Sequence, residues 1–311
     1  MPNEKVEIKM KKSKMLKSRL VVVVGLVIFV VACQKAEPYK AVKVEVKKEK
    51  LADYFPATIN FAGEQAPLEV EDVKERFDRE LIVNKNYHSY TILALKRANR
   101  SFPVIEPILK KNGVPDDFKY LAVIESGLVN VVSKAGARGV WQFMPQTGRD
   151  MGLEVNDNID ERYHLAKATQ AACDFLLNAK AKFGSWTLAA ASYNRGLVGV
   201  QNLLDFQKET SYYDLYMNEE TGRYLFRIMA LKEIMNNPEK FGFEVAAKDK
   251  YTMIPTKKVV VNRSIANLVT FAKAQGINYK TLKIYNPWLR SIRLENDSRK
   301  KYIIEIPLSG F

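Results

Sequence analysis

Apolar side chains recur at the spacing of an α-helix in one segment after another between residues 76 and 246. In LAKATQAACDFLLNAKAKF the recurring positions are Leu165, Ala168, Ala172, Phe175, Ala179 and Phe183. Turn signals separate the segments, at Asn112-Gly113, Gly148, Gly152, Gly184 and Asn237-Pro238. Because each such helix must bury its apolar face against another, we predict a helical domain over residues 76–246.

The segments on either side of this helical region have different patterns. Residues 33–75 are charged, contain three prolines and have no sustained helical stripe, so we predict a tether. After about residue 250, KKVVV, two stretches with apolar residues at helical spacing, and KYIIEIP follow one another. This order predicts a small module over residues 247–311. The expected fold class is mainly α, with a small C-terminal α+β (βααβ) module.

The first 32 residues are typical of an export signal peptide. A basic stretch, KMKKSKMLKSR, precedes twelve apolar residues, LVVVVGLVIFVV, which are few for a membrane span of about twenty. The residues VVA before Cys33 resemble the lipobox of bacterial lipoproteins, which predicts lipidation of Cys33, and Gln34 is compatible with sorting to the outer membrane. The alternative is an uncleaved short membrane anchor. Translation from Met10 or Met15 would shorten the segment.

The formal charge of +14 limits the classes of partner. Seven lysines and arginines against two glutamates in the first 32 residues account for five of these charges, so the rest of the chain keeps +9. Such a chain favours an anionic polymer or surface. For an exported protein this means cell-wall glycan and anionic lipid, and no nucleic acid.

The cysteine and histidine content indicates neither disulfide nor metal chemistry. Cys173 lies on an apolar helical stripe and is expected to be buried and inert, and without Cys33 it has no partner for a disulfide. His88 and His164 are the only histidines, and neither belongs to a metal-spaced cluster. We therefore expect no metal and no cofactor.

A glutamate interrupts the apolar face of one predicted helix. In PDDFKYLAVIESG the apolar stripe runs through Phe118, Leu121 and Ala122. Its next position, i+7, is Glu125. Three explanations are open: the helix frays at Gly127 and the carboxylate reaches water, the carboxylate pairs with a buried arginine, or it is a functional acid.

Two further segments have the composition of a ligand-binding cleft. SGLVNVVSKAGARGVWQFMPQTGR contains no acidic residue, Trp141 offers an aromatic face, and Gln142 and Met144 are placed to reach a ligand from a turn. WTLAAASYNRG presents Tyr193 and Asn194 after three alanines that let helices approach closely. Each of these residues, taken alone, also suits a structural role.

Together, ESGLVNVVSKAGARGVWQFMPQT, AASYNRG and ETGRYLFRIMA resemble the three motifs of the family 1 lytic transglycosylases, lysozyme-like enzymes that cut peptidoglycan. The resemblance covers the helical domain and implies a lysozyme-like fold, with Glu125 as the single catalytic acid and base. The substrate-cleft positions that it implies are Ser126, Ser133, Gln142, Met144, Tyr193, Asn194, Glu220 and Tyr224. The third motif departs from the family pattern, because Gly222 stands where an arginine is usual.

The same resemblance implies a mechanism for Glu125. Protonated because its surroundings are apolar, it donates a proton to the glycosidic oxygen between N-acetylmuramic acid and N-acetylglucosamine. Deprotonated, it then takes the proton of the muramoyl C6 hydroxyl, which closes onto C1 to give a 1,6-anhydro sugar. Two rivals stay open: a muramidase that uses water, with Glu220 as the second carboxylate, and a non-catalytic cell-wall scaffold.

The segment VNRSIANLVTFAKAQGINYKTLKIYNP resembles the helical core of a LysM module, a domain that binds glycans containing N-acetylglucosamine. The usual Gly-Asp-Thr-Leu opening is replaced near Asn262 to Ile265, so glycan binding and a purely structural role are both open. The expected partners are peptidoglycan glycan strands and a membrane, reached through lipid on Cys33. The expected location is the cell envelope, at the periplasmic face of the outer membrane. Protein partners are not predicted.

Overall fold

The computed structural model of the chain describes residues 54–310. Its α-helices are α1 Glu71–Asn86, α2 His88–Lys111, α3 Lys119–Ser126, α4 Pro145–Asp150, α5 Leu165–Phe183, α6 Trp186–Arg195, α7 Leu197–Gln207, α8 Glu219–Asn236, α9 Leu268–Ala274 and α10 Tyr279–Tyr285. None of these helices is long and apolar enough to cross a bilayer. The predicted signal peptide, Cys33 and the predicted tether up to residue 53 lie outside the described residues.

The strands of residues 54–310 form three antiparallel pairs. They are β1 (Asn60–Phe61) with β2 (Glu64–Gln65), β3 (Val131–Val132) with β4 (Arg138–Gly139), and β5 (Thr256–Val261) with β6 (Tyr302–Pro307). In the C-terminal region the order is strand, helix, helix, strand, as predicted. The predicted fold class, mainly α with a small α+β region at the C-terminal end, is confirmed.

Helix α8 is the centre of the helical core. The side chains of Leu225, Phe226, Ile228 and Met229 are all fully buried, on different sides of the helix. Buried apolar side chains on several sides of a helix allow several neighbours to pack against it, and α8 contacts α1, α3 and α6. Cys173 on α5 lies in the same core, where burial raises the pKa of its thiol to about 12, so the prediction that it is buried is confirmed.

The predicted tether is wrong for residues 54–75. Ile59 and Phe61 are buried in the helical core, and α1 begins within this segment. Phe61 packs against Phe118, with ring centroids 4.9 Å apart, directly before α3. The carboxylate of Glu64 accepts hydrogen bonds from the first backbone amides of α6. The hairpin formed by β1 and β2 is therefore part of the helical domain.

The C-terminal region packs onto the helical part through residues 154–164. Ile159 and Tyr163, which precede α5, belong to the apolar core of the C-terminal region together with Trp288 and Leu289. Ile159 and Leu289 also form an antiparallel β-bridge. The two parts therefore share a hydrophobic core in addition to a covalent connection.

Candidate active site

Helix α3 presents Glu125 close to its C-terminal end. The helix stops because Gly127 adopts a left-handed φ of 61°, and the Gly127 amide donates to the Val123 carbonyl at 2.7 Å. A β-carbon at residue 127 would lie 3.1 Å from the ring of Tyr90. Glycine therefore suits both the backbone conformation and the close approach of α2 at this position.

Tyr224 of α8 is the direct partner of Glu125. Its hydroxyl donates a hydrogen bond to Oε1 of Glu125, and its side chain is buried. Burial raises the pKa of Glu125; the Tyr224 hydrogen bond and the charge of Arg227 oppose the rise, whereas the charge of Glu220 adds to it. Burial beside Glu125 also raises the pKa of Tyr224 well above its ordinary value, so the phenol remains a donor. The pair combines a carboxyl whose pKa is raised by burial with a phenol that donates a hydrogen bond to it.

This environment argues against two of the three explanations for Glu125. The helix does not fray before it, because α3 extends to Ser126 and closes with the Gly127 turn. Among the ion pairs of the described residues none includes Glu125, and its hydrogen-bond partner is a neutral phenol. What remains is a desolvated carboxyl that is still partly exposed, which are the properties required of a general acid.

Glu220 and Asn194 lie together at one side of Glu125. The Asn194 side-chain amide donates to Oε1 of Glu220 at 2.9 Å, and its carbonyl oxygen accepts a hydrogen bond from the Thr221 hydroxyl at 2.8 Å. Glu220 is exposed, and its charge reaches Glu125. The ends of α6 and α8 are thus joined by an oriented amide beside a second, solvated carboxylate.

Arg227 is a neighbour of Glu125 that was not predicted from the motifs. Its Nη2 lies 3.5 Å from the carbonyl oxygen of Ile124, the residue before Glu125. Glu220, Tyr224 and Arg227 follow one another at positions i, i+4 and i+7 of α8, so they share one helix face. That spacing was the one available signal in the sequence for Arg227.

A loop after β4 forms the wall next to the end of α3. The hydroxyl of Ser126 donates to the Val140 carbonyl at 2.8 Å and so ties α3 to this loop. Gln142 has a left-handed φ of 52°, and its side-chain amide donates to the Gly139 carbonyl at 2.6 Å. A left-handed backbone is unusual for a residue other than glycine, so the loop holds Gln142 in one defined conformation.

A buried ion pair supports this loop from behind. The side chains of Asp160 and Arg162 are each 2% exposed, and Arg162 Nη2 lies 2.7 Å from Asp160 Oδ2. Arg162 Nη1 donates to the Phe143 carbonyl at 3.0 Å. A β-carbon on Gly139 would lie 1.9 Å from the Arg162 carbonyl oxygen, so only glycine fits there. Because both charges are buried, loss of either one would be strongly destabilising.

The other predicted cleft residues differ in their exposure and in their hydrogen-bond partners. Ser133 lies in the turn between β3 and β4, where its Oγ accepts the Ala137 amide at 3.0 Å. Met144 is exposed, with 42% of its surface accessible. The Tyr193 hydroxyl donates to the Trp141 carbonyl at 2.8 Å. Trp141 does not offer an aromatic face as predicted, because its ring is fully buried and its indole N–H donates to a threonine of α5.

Within residues 54–310, no group of three or more histidine, cysteine, aspartate or glutamate side chains is arranged to hold a metal ion. The side chains around Glu125 are the carboxylate of Glu220, the phenol of Tyr224, the amide of Asn194 and the guanidinium group of Arg227.

Residues 102–215 match the family model of the transglycosylase SLT domain. This part of the chain is therefore similar to an SLT domain. Residues 257–310 match the C-terminal LysM-like domain of soluble lytic transglycosylases, so the LysM-like module is confirmed as well.

The chain is also similar to membrane-bound lytic murein transglycosylase D of Escherichia coli, in strain K12 and in strain O6:H1 CFT073. The identity to each is 27% over 232 residues, which cover 72% of this chain and 49% of the relative. The chain thus spans about half the length of the curated relatives it matches. The resemblance predicted from the three motifs is confirmed.

The match to the SLT domain contains Glu125 and the loop through Met144 but ends before α8. In the structure, α8 supplies Tyr224, Glu220 and Arg227, the groups that act on the Glu125 carboxyl. The candidate site is therefore completed by a helix that follows the matched residues.

Proposed function

We propose that this protein is a lytic transglycosylase. It cleaves the β-1,4 bond between N-acetylmuramic acid and N-acetylglucosamine in peptidoglycan and leaves 1,6-anhydromuramic acid ends. The observation that carries the proposal is the Glu125 carboxyl, desolvated on an apolar helix and hydrogen-bonded by Tyr224 inside an SLT domain.

The first step is proton donation by Glu125. Burial raises the pKa of this carboxyl and so favours its protonated form, and transfer of the proton to the glycosidic oxygen breaks the C1–O bond. The resulting carboxylate then receives the hydrogen bond of Tyr224. In the second step it removes the proton of the muramoyl C6 hydroxyl, whose oxygen bonds to C1. Glu125 ends the cycle protonated, so no further proton donor is needed.

The competing candidate is hydrolysis with Glu220 as the base that activates water. One observation favours it, because the charge of Glu220 acts on Glu125. Against it, one oxygen of Glu220 is occupied by Asn194, and the side chain is exposed. The C6 hydroxyl has the additional advantage of being part of the substrate, since intramolecular attack reaches effective molarities of about 10⁵ M or more. Ring closure is therefore the favoured outcome.

Digestion of purified sacculi in water enriched in oxygen-18 separates these reactions. A lytic transglycosylase yields 1,6-anhydromuramic ends without heavy oxygen, whereas a muramidase yields labelled reducing ends. A scaffold yields neither. Glu125→Gln is the matched control, because it keeps the size and hydrogen bonding of the side chain but has no proton to deliver. Labelled reducing ends as the main product would refute the proposal.

The proposed roles of the surrounding residues follow from their positions. Tyr224 stabilises the Glu125 anion, and Asn194 orients Glu220. The substrate-facing set lies at the end of α3, in the turn between β3 and β4, in the loop after β4 and on α6, and consists of Ser126, Ser133, Gln142, Met144 and Tyr193. Of these, Met144 has the most accessible side chain and is the natural contact for an acetamido or sugar face.

The location that we propose is the cell envelope, with the protein anchored by lipid on Cys33 at the periplasmic face of the outer membrane. The VVAC sequence and the similarity to a membrane-bound transglycosylase support it. Cys33→Ala should leave the protein soluble or as uncleaved precursor, because two acyl chains are needed for stable anchoring. Processed Cys33→Ala protein that still sediments with membranes would contradict lipid anchoring.

A further inference from the structure

The C-terminal end of α3 is surrounded by three side-chain donors. They are Tyr90, which donates to the Val123 carbonyl at 2.6 Å, Arg227, which donates to the Ile124 carbonyl at 3.5 Å, and Arg97, which donates to the Gly127 carbonyl at 3.1 Å. Free carbonyls at a helix C-terminus attract donors and positive charge, so part of this arrangement caps the helix.

Two guanidinium groups supply more positive charge than this capping uses. Each guanidinium has five N–H donors, and Arg97 and Arg227 each commit one of them to a carbonyl of α3. Both side chains are only half-buried. Neither forms any of the ion pairs found among residues 54–310. The remaining donors of both guanidinium groups are therefore available to a ligand.

The position of this charge gives the cleft a polarity. Arg227 follows Glu220 by seven residues on one face of α8, a rise of about 10 Å along the helix axis, with Tyr224 between them. Glu125 faces the middle of this row through its bond with Tyr224. One end of the site is thus acidic, at Glu220, and the other end is basic, at Arg97 and Arg227.

The substrate of the proposed function contains a matching negative group. Acylated amino sugars are neutral, and in intact peptidoglycan the lactyl carboxyl is consumed in an amide, so the negative charge lies on the carboxylates of the peptide stems. We infer that Arg97 and Arg227 form a carboxylate-binding site for a peptide stem, which makes stem-bearing glycan the preferred substrate; this inference rests on the proposed function. Planar guanidinium groups bind carboxylates through paired hydrogen bonds.

An exposed aromatic side chain borders the same end of the site. The ring of Tyr87 stacks on the ring of Tyr90, with centroids 5.2 Å apart, and Tyr87 is 61% exposed. Its outer face is free to contact the apolar part of a stem, next to the two arginines that hold the carboxylate.

Binding to the Glu125→Gln protein tests this site independently of turnover. The probes are a disaccharide–peptide fragment of peptidoglycan, the same fragment with its stem carboxylates converted to carboxamides, and the disaccharide after amidase removal of the stem. Calorimetric titration should give about tenfold tighter binding of the free carboxylate form than of the carboxamide form, the difference that a charge-assisted hydrogen bond makes.

Introducing Arg97→Gln or Arg227→Gln into the Glu125→Gln protein should remove the preference for the carboxylate form. The affinity for the carboxamide form should stay unchanged. Arg100→Gln is the matched control, because it removes the same charge from an exposed position one turn further along α2. Arg97→Lys and Arg227→Lys keep the charge and a capping donor, and should retain part of the preference. If Arg227→Gln fails to fold, Arg97→Gln alone decides.

If the arginine variants bind the carboxylate and carboxamide probes equally more weakly, the inference is overturned and the arginines are helix caps only. The same conclusion follows if the variants bind both probes as tightly as the Glu125→Gln protein does. Arginine-dependent binding that is tightest for the stem-free disaccharide would overturn it in favour of the lactyl carboxylate. A parallel sacculus digestion by the unsubstituted protein reports on the proposed function separately, because an inactive protein that still prefers the carboxylate probe refutes only the cleavage.

Discussion

Glu125 occupies a position where ionisation opposes folding. Burial raises its pKa in the folded chain, so the folded state binds more protons than the unfolded state between the two pKa values. The free energy of unfolding therefore falls as the pH rises through this window. Glu125→Gln removes this effect, and we expect the variant to unfold at higher urea concentration than the wild type at pH 7 but at the same concentration at pH 4.

The activity of Glu125→Gln should fall by a factor of about 10² to 10⁴, the usual contribution of general acid catalysis. Circular dichroism and binding to sacculi should be unchanged. A Glu125→Gln protein that is less stable at pH 7 would indicate a structural role for the carboxylate, in conflict with the neutral phenol found as its partner.

Tyr224→Phe tests the hydrogen bond that opposes the pKa rise of Glu125. Without this donor the pKa of Glu125 should increase further, because burial and the charge of Glu220 then act with less opposition. The descending limb of the pH profile of kcat/KM should shift to higher pH, while kcat falls by about tenfold or more through loss of a hydrogen bond to a charged group.

Tyr120→Phe is the control for the Tyr224 variant. Its hydroxyl donates to Oδ1 of Asn236 at 2.5 Å, twelve residues beyond Tyr224 on α8, whereas Glu125 accepts the hydroxyl of Tyr224. When kcat/KM of Tyr120→Phe is measured between pH 4 and 8, its descending limb should lie at the same pH as in the wild type. An unshifted limb in Tyr224→Phe would contradict the assignment of Glu125 as the titrating acid.

At the residue scale, the sequence predicted those groups that break a pattern or match a motif. Glu125 was visible because a carboxyl replaced an apolar residue on a helical stripe. Arg97 and Tyr90 were not visible, and Arg227 was visible only through its i+7 spacing from Glu220, because all three reach the end of α3 from distant helices and bind backbone carbonyls there. Backbone carbonyls have no residue identity, so the sequence does not show which side chains they bind.

At the scale of single elements, the start of α6 depends on Glu64. Its carboxylate accepts the Trp186 amide at 2.6 Å, the Thr187 amide at 2.9 Å and the Ser185 hydroxyl at 2.8 Å. Burial acts to raise the pKa of Glu64, but these hydrogen bonds outweigh it, and the pKa lies below its ordinary value. The hairpin thereby caps a helix to which it is not adjacent in sequence.

Glu64→Ala should therefore destabilise the protein by about 1 to 3 kcal/mol, as loss of a helix cap and its hydrogen bonds does. The difference from wild type should be full at pH 7 and shrink in acid, because a lowered pKa contributes stability that is lost as the pH falls through it. Urea unfolding at pH 7 and pH 3 measures both. Glu69→Ala, at an exposed position of the same segment, should have no effect; an equal effect would exclude capping as the cause.

The same hairpin explains the wrong boundary of the predicted tether. Its strands have two residues each, too short for the alternation that identifies a strand, and prolines and charges surround them. Long helices are easier to predict, because α5 repeats its apolar positions at helical spacing over nineteen residues. Elements that fold through contacts with distant helices are therefore predicted least well.

At the scale of the whole molecule, the order of elements in the LysM-like domain was predicted but its docking was not. The polar segment before α5 gave no sign of an interface, yet Ile159 contributes to the C-terminal core. Lys300 forms an ion pair with Glu154 at 2.6 Å, and the Tyr302 hydroxyl donates to the same carboxylate. A domain boundary drawn from a change of pattern thus separated two parts that fold onto one another.

Deletion of residues 250–311 should consequently destabilise the helical domain itself. Ile159 is fully buried and Tyr163 is 6% exposed, and both would face water without the LysM-like domain. Loss of burial of two such side chains corresponds to about 3 to 6 kcal/mol. Urea unfolding followed by far-UV circular dichroism, which does not depend on Trp288 in the deleted segment, should give one transition in the full chain and a lower midpoint after the deletion.

Lys300→Met separates this hydrophobic contribution from the electrostatic one. The ion pair with Glu154 lies in a partly solvated position, so its loss should change the stability by at most about 1 kcal/mol.

Retention on sacculi has to be compared at temperatures where both the deletion variant and the full chain are folded, because unfolded protein would otherwise be counted as weak binding. Under that condition, weaker retention of the deletion variant with unchanged cleavage of short glycans would identify the LysM-like domain as glycan-binding, whereas an unchanged unfolding midpoint would contradict the shared core.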